Sequence, residues 1–340
     1  MTLPLFSRFP RLREHVPWMP LAIVPTPVAR LSRLGEAWGL PELWIKRDDL
    51  CGSPIGGNKI RKLEFLLADV KSQGRDILAY GPVGSHWALA TAWYGRQLGL
   101  NVDLVLFRDP AAPEHDPEHA WVLKIARSVS MCGSVYAVPF QGLPRLFKPK
   151  KSRPYLMPAG GASVRSTLGY VNAALELAEQ VQRGEMPIPD FVVCALGTGG
   201  TAAGLLAGLE LSGLPTRVLA IRITDPRVAN GFLTRRLAKK CLRLLDRKGG
   251  GSQPVPSLDA SRLVIDKHGT GTRYGAPSPA GEEAAHAMME LEGLPLDDSY
   301  TAKAVAAIRR LTPEMSLSAA RVLYWHTYHS QDLDKVLAPP

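Results

Sequence analysis

The chain has 340 residues, 46% of them hydrophobic, enough for two domains or one large one with well-filled cores. No apolar run reaches the length of a membrane span, and the first twenty residues, with Phe6, Arg8, Pro10, Arg11, Arg13 and Trp18, lack a signal-peptide core. A cytoplasmic protein without membrane contacts is expected.

The formal charge of +10 raises the question of a nucleic-acid partner, but its distribution argues against one. Much of the excess lies in two patches: Arg145, Lys148, Lys150, Lys151 and Arg153, then Arg235, Arg236, Lys239, Lys240, Arg243, Arg247 and Lys248. The second has helical spacing and runs into Gly249-Gly250-Gly251-Ser252, which reads as a solvated basic helix followed by a flexible loop. An anionic substrate or a phosphate cofactor would also gain from this field. Cys51, Cys132, Cys194 and Cys241 are scattered without paired spacing, so neither a disulfide framework nor a zinc site is expected.

In chain order, Pro20, Pro25 and Pro27 keep the entry extended, residues 28–40 have helical spacing, and residues 43–47 form a short strand ending in Asp48-Asp49. There follows Gly56-Gly57-Asn58-Lys59-Ile60-Arg61-Lys62-Leu63-Glu64, in which two glycines free the backbone and an amphipathic helix starts at once. Lys59 falls at the helix start. The positive end of the helix dipole, with Arg61 and Lys62 within a turn, favours its neutral, nucleophilic form. The competing reading is a solvated first-turn cation.

Residues 76–80 read as a strand, 81–85 as a turn, 85–98 as a helix and 102–107 as another strand, the pattern of a parallel α/β unit with ligands at the carboxyl ends of its strands. A helix is expected over 118–130 and a strand over 134–138, then a basic, proline-rich connection, Gly160-Gly161, and a helix over 166–182. Residues 191–195 form a wholly apolar strand, followed by Gly197-Thr198-Gly199-Gly200-Thr201 and a helix over 202–211. Glycines between a strand end and a helix start expose backbone amides at the positive end of a dipole, which suits a phosphate. A plain strand-to-helix connection remains an alternative. A dinucleotide site fits less well, because G-x-G-x-x-G spacing is missing and no acidic ribose ligand is clearly placed about twenty residues on. A strand over 218–223, the basic helix, a low-complexity loop over 248–257, helices over 279–292 and from about 300, and a last strand over 321–327 complete the chain, with no internal repeat.

A lysine after two glycines, a phosphate-type loop and parallel α/β units together suggest pyridoxal phosphate, which needs an amine for its aldehyde and amides for its phosphate. The chain also resembles the D-cysteine desulfhydrase and 1-aminocyclopropane-1-carboxylate deaminase family. The matching blocks are Pro25-Thr26-Pro27, Lys46-Arg47-Asp48-Asp49-Leu50, Gly56 to Glu64, Gly160-Gly161 with Leu168-Gly169-Tyr170, Gly197 to Thr201, Tyr274-Gly275, Tyr300-Thr301-Ala302-Lys303-Ala304 and His326-Thr327.

The resemblance implies fold type II, like the β subunit of tryptophan synthase: a two-domain α/β protein with open, twisted, mostly parallel sheets and helices on both faces. A small domain over 64–167 would be inserted in a large one made of 1–63 and 168–340, with the cofactor between them, in a homodimer. It further implies that Lys59 joins the cofactor covalently and shuttles the α-proton. Gly197, Thr198, Gly199, Gly200 and Thr201 would hold the phosphate, and Asn58 would lie near the ring hydroxyl. Ser85 would touch the substrate carboxylate or act as a base, Tyr274 and Tyr300 would face the substrate, and Thr327, with Thr301 behind it, would stand beside the pyridine nitrogen. A neutral hydroxyl there weakens the electron sink and favours eliminating a good leaving group over opening an unactivated ring. The ring-opening deaminases carry Glu and Leu where this chain has Thr301 and Thr327.

The expected reaction is therefore α,β-elimination from a small amino acid, giving a 2-oxo acid and ammonia, with ring opening as the alternative. Three departures bear on the substrate. The family's Gln-Ser-Asn-His reads Gly84-Ser85-His86-Trp87, which puts an imidazole, His86, beside the cofactor and an indole, Trp87, next to it. Gly161 is followed by Ala162-Ser163 where the family tends to have Ser-Asn. The Gly-Gly after His-Thr reads Tyr328-His329. A cofactor-binding relative with altered or lost chemistry is the second reading, and an NAD-dependent oxidoreductase using the Gly197 loop the third.

Overall fold

The structure is a computed structural model. It describes residues 2–108, 117–134, 137–138, 140–141, 147, 149, 152–270, 275–329 and 335. Two sheets organise these residues. The six-stranded sheet has the order β1 (Val28–Arg30), β2 (Leu43–Arg47), β10 (Val322–His326), β7 (Phe191–Leu196), β8 (Arg217–Arg222) and β9 (Leu263–Asp266), parallel except for the β1–β2 pair. The four-stranded sheet, β5 (Ser128–Cys132), β4 (Val102–Phe107), β3 (Ile77–Pro82) and β6 (Tyr155–Leu156), is parallel throughout.

The apolar centres of β7, β8 and β10 are what parallel strands covered on both faces require. On one face the helices Val164–Gln182, Gly200–Ser212 and Gly231–Lys248 bury a core with Leu5, Phe9 and Leu12 from the amino terminus. On the other, the helices Ser32–Trp38, Pro279–Glu292 and Thr301–Met315 bury Ile45, Val193, Ile221 and Tyr324. The smaller sheet has its own core of Ile77, Val102, Leu104, Leu89 and Met157, against the helices Asn58–Ser72 and His86–Gln97.

Two expectations are corrected. Residues 28–40 are not one helix: Val28–Arg30 pairs antiparallel with β2, and the helix starts only at Ser32, because Pro25 and Pro27 hold the entry extended beside an open sheet edge. The helix expected over 118–130 stops at Ile125, and Ser128–Cys132 becomes β5. The free edge of β4 recruits these residues, and Arg127 helps set the register by gripping the Asp103 carboxylate of β4. The strand expected over 134–138 includes Val135 and Tyr136, which lie outside the described residues, and the edge position is held by β5 instead. The short strand β9 carried no separate signal; it adds to the edge of β8.

Candidate active site

The Asn58–Ser72 helix carries Lys59 in its first turn, and a buried ionic network anchors it. The Arg61 guanidinium donates to Asp48 at 2.8 and 3.0 Å, to Glu176 at 2.9 and 3.1 Å and to the Thr26 hydroxyl at 3.0 Å. Lys46 Nζ lies 2.6 Å from the same Glu176. Tyr170 and Trp325 donate to Asp48 Oδ2 at 2.7 and 2.8 Å. Two cations thus face two carboxylates with their remaining hydrogen-bonding capacity filled, the condition under which buried charge is tolerable. Gly57, at φ 86° and ψ 177°, makes the turn into the helix in a conformation nearly exclusive to glycine. A side chain there would also meet the Thr327 carbonyl oxygen at 2.8 Å. The Asn58 amide donates to that same carbonyl at 3.0 Å, so the lysine turn is stitched to the end of β10.

Burial pushes the Lys59 amine down to about 8, against the opposing pull of Asp297 and Glu118. The help expected from Arg61 is corrected: Arg61 is neutralised by Asp48 and Glu176, and desolvation dominates instead. Lys59 Nζ lies 5.7 Å from the centre of the Tyr300 ring. Next to it, Asn58 Nδ2 donates to Thr201 Oγ1 at 3.3 Å, which ties the lysine turn to the loop 197–201. Gly199, at φ 82°, opens the Gly200–Ser212 helix, whose first-turn amides have no intrahelical acceptor.

Lys62, one turn beyond Lys59, also reaches this loop. Its ammonium lies 3.4 Å from where a Cβ on Gly200 would sit and donates to the Gly160 carbonyl at 3.4 Å. Burial, then repulsion from Lys59, holds it well below its ordinary value. A dianion in the loop would reverse that penalty. Tyr300 closes the other side, its ring 3.4 Å from the position of a Cβ on Gly197. Thr198 packs against Gly160.

Ser85 caps the His86–Gln97 helix, its hydroxyl accepting from the Ala88 amide at 3.4 Å. Trp87 is buried and occupies the space in front of Gly161, where a Cβ would come within 2.8 Å of the indole. His86 Nε2 lies 3.0 Å from the Gly56 carbonyl oxygen, and its ring stacks on His329 with centroids 4.6 Å apart. His329 Nε2 in turn lies 3.1 Å from Glu118 Oε1. Burial alone would raise the Glu118 carboxyl, but the hydrogen bond with His329 and the nearby His86 imidazole hold it at about 2.

Thr301 begins the Thr301–Met315 helix and is committed locally, donating to Asp297 Oδ1 at 2.5 Å and accepting from the Asp297 amide at 2.8 Å. Thr327 follows β10 and is nearly buried. Tyr274 lies outside the described residues. The structure therefore brings together Asn58, Lys59, Gly197, Thr201 and Tyr300. It adds Lys62, Glu118, Asp297 and His329, which sequence reasoning missed as site residues. Lys62 was recoverable from its position one turn after Lys59; Glu118 and Asp297 were not, since both lie in stretches with no motif.

A partly desolvated amine tied through its neighbour to an amide cradle, in a two-sheet parallel α/β scaffold, defines a pyridoxal-phosphate enzyme. The chain belongs to the pyridoxal-phosphate dependent enzyme family, whose profile matches residues 19–327. It is 33% identical over 316 residues to the D-cysteine desulfhydrase of Salmonella schwarzengrund (strain CVM19633), covering 91% of this chain and 90% of that protein. A crystal structure of an ACC deaminase homologue superposes with a TM-score of 0.80 at 28% identity, covering 99% of both chains. Threonine deaminase isoform 2 from Solanum lycopersicum, at 14% identity and TM-score 0.65 over 98% of this chain and 91% of its own, shares the fold. The residues present fit the cofactor: the amine, the first-turn amides and the Lys62 ammonium are the donors its aldehyde and phosphate require.

Proposed function

We propose that this enzyme removes a β-leaving group from a small amino acid, with D-cysteine as the leading candidate, and releases a 2-oxo acid and ammonia. The observation that carries the reading is the Lys59 amine, pushed to about 8 by burial beside the loop 197–201. Pyridoxal phosphate, when bound, withdraws electrons from the α-carbon of the amino acid joined to it. Lys59 holds the cofactor and, once released, takes the α-proton at Nζ. Gly197, Thr198, Gly199, Gly200 and Thr201, with Lys62, hold the phosphate, and Asn58 orients the ring. Ser85 binds the substrate carboxylate, with His86, Trp87 and Gly161 shaping that side of the pocket, while Tyr300, and Tyr274 as the resemblance implies, serve the substrate. Thr301 and Thr327, in place of the Glu and Leu implied for ring-opening relatives, support elimination over ring opening.

The same reading assigns residues 1–63 and 168–340 to a cofactor domain and 64–167 to a smaller one, in a cytoplasmic homodimer. Among the described residues no helix is long and apolar enough to cross a membrane. The test is a spectral and product screen of both enantiomers of cysteine, serine and β-chloroalanine, with 1-aminocyclopropane-1-carboxylate alongside. Pyruvate and ammonia from a β-substituted amino acid, abolished in Lys59→Ala with the imine band, is the expected result. Ring opening alone would transfer the assignment to deamination. No turnover with an intact imine band would favour a binding role, the second reading, which the His86–Glu118–His329 contact motivates.

A further inference from the structure

Two departures from the family pattern that are 243 positions apart in the chain, His86 and His329, meet at one carboxylate. His86 opens the helix after β3, His329 follows β10, and Glu118 comes from the helix Pro117–Ile125. His329 Nε2 lies 3.1 Å from Glu118 Oε1 and His86 Nδ1 lies 3.7 Å from the same oxygen. The donor atoms of all three side chains fall within 4.8 Å of one another.

The tautomer of His86 is set by its surroundings. With Nε2 3.0 Å from the Gly56 carbonyl oxygen, that nitrogen carries the proton, and the lone pair sits on Nδ1, facing Glu118. Nδ1 is buried and has no hydrogen-bond partner among the described residues. An imidazole that donates one N–H to a backbone carbonyl and turns its other nitrogen toward a carboxylate is the arrangement in which metal-ligating histidines are held. Zinc bonds of about 2.0–2.1 Å in a tetrahedral site place neighbouring donors about 3.3 Å apart, and the two measured separations to Glu118 bracket that value.

We propose that His86 Nδ1, Glu118 Oε1 and His329 Nε2 form a binding site for a divalent transition metal of the zinc class. Two nitrogens and one oxygen suit a borderline ion, whereas calcium or magnesium would demand more oxygens. Three protein ligands leave a fourth position for water or an anionic donor. The ion would lock the Ser85–His86 turn and the segment after β10 together beside the Lys59 turn, whose Gly57 has His86 and His329 as near neighbours. The site stands independently of which amino acid the enzyme consumes.

The test uses the pyridoxal-phosphate-loaded enzyme, freed of adventitious metal by chelation and titrated with zinc chloride in a calorimeter. Wild type, Glu118→Gln and His329→Ala are compared at equal cofactor content, with circular dichroism to confirm folding. One saturable zinc per chain, weakened about ten-fold or more in both variants, is expected. No saturable uptake by the wild type, or equal uptake by both folded variants, overturns the proposal. Anomalous diffraction at the zinc edge from wild-type crystals tests the same claim without a variant: a peak between the three side chains supports it, and zinc bound only elsewhere refutes it.

Discussion

If burial rather than neighbouring charge tunes Lys59, the clearest consequence is the pH dependence of cofactor uptake. Only the neutral amine attacks an aldehyde. With the amine at about 8, roughly a tenth of the molecules are neutral at pH 7, whereas an ordinary lysine near 10.5 would have about 0.03%. The difference is about 300-fold in reactive amine. Stripped enzyme mixed with pyridoxal phosphate in a stopped-flow instrument, followed by imine absorbance, should react about ten-fold more slowly for each pH unit below 7 and level off just above 8. Because Glu118 and Asp297 favour the charged amine, Glu118→Gln should move that midpoint lower still. A rate that keeps climbing through pH 9 with a midpoint near 10 would refute the argument, since it would mean that the amine is as well solvated as a surface lysine.

Other consequences follow from the surrounding structure. Arg61→Leu leaves Lys46 as the one cation facing two buried carboxylates, with Asp48 losing its ion pair, and should cost about 3–5 kcal/mol in urea unfolding. Gly57→Ala combines a disfavoured backbone conformation with an approach of 2.8 Å to the Thr327 carbonyl; a loss of about 1–3 kcal/mol, with weaker cofactor retention, is expected from thermal melts and dialysis. Lys62→Met should reduce pyridoxal-phosphate affinity about 10- to 100-fold by equilibrium titration, the worth of a hydrogen bond to a charged group, while leaving its uptake of pyridoxal, which has no phosphate, nearly unchanged. Burial lowers His326 to about 4, so its native state favours the neutral ring. That stability is present above the unfolded value near 6.5 and is lost as pH falls toward 4, at most about 3 kcal/mol. His326→Gln, if folded, should flatten the fall in urea midpoint between pH 7 and pH 4.5 relative to wild type.

Much of this was local and therefore legible. The alternation of apolar strands with glycine turns and helices gave away β2, β3, β4, β7, β8 and β10, and the glycine pair before Lys59 marked a turn that only a residue without a side chain can make. The helix start at 197–201 was legible because a glycine turn with free first-turn amides is a property of a few consecutive residues. The error over residues 118–130 was of the opposite kind. Ser128–Cys132 becomes a strand because β4 offers an edge, a fact held by a distant segment.

The sequence by itself determined the parallel α/β class and pointed, through the lysine turn and the glycine loop at 197–201, to the pyridoxal-phosphate family, all of which are written in short contiguous stretches. Only the tertiary structure decided what surrounds that lysine. The neutralisation of Arg61 by Asp48 and Glu176, the approach of Lys62 to Gly200, and the meeting of His86 with Glu118 and His329 join residues far apart in the chain. Desolvation is the reason the difference matters: how far an amine is removed from water depends on every segment packed around it, and no local pattern records that sum.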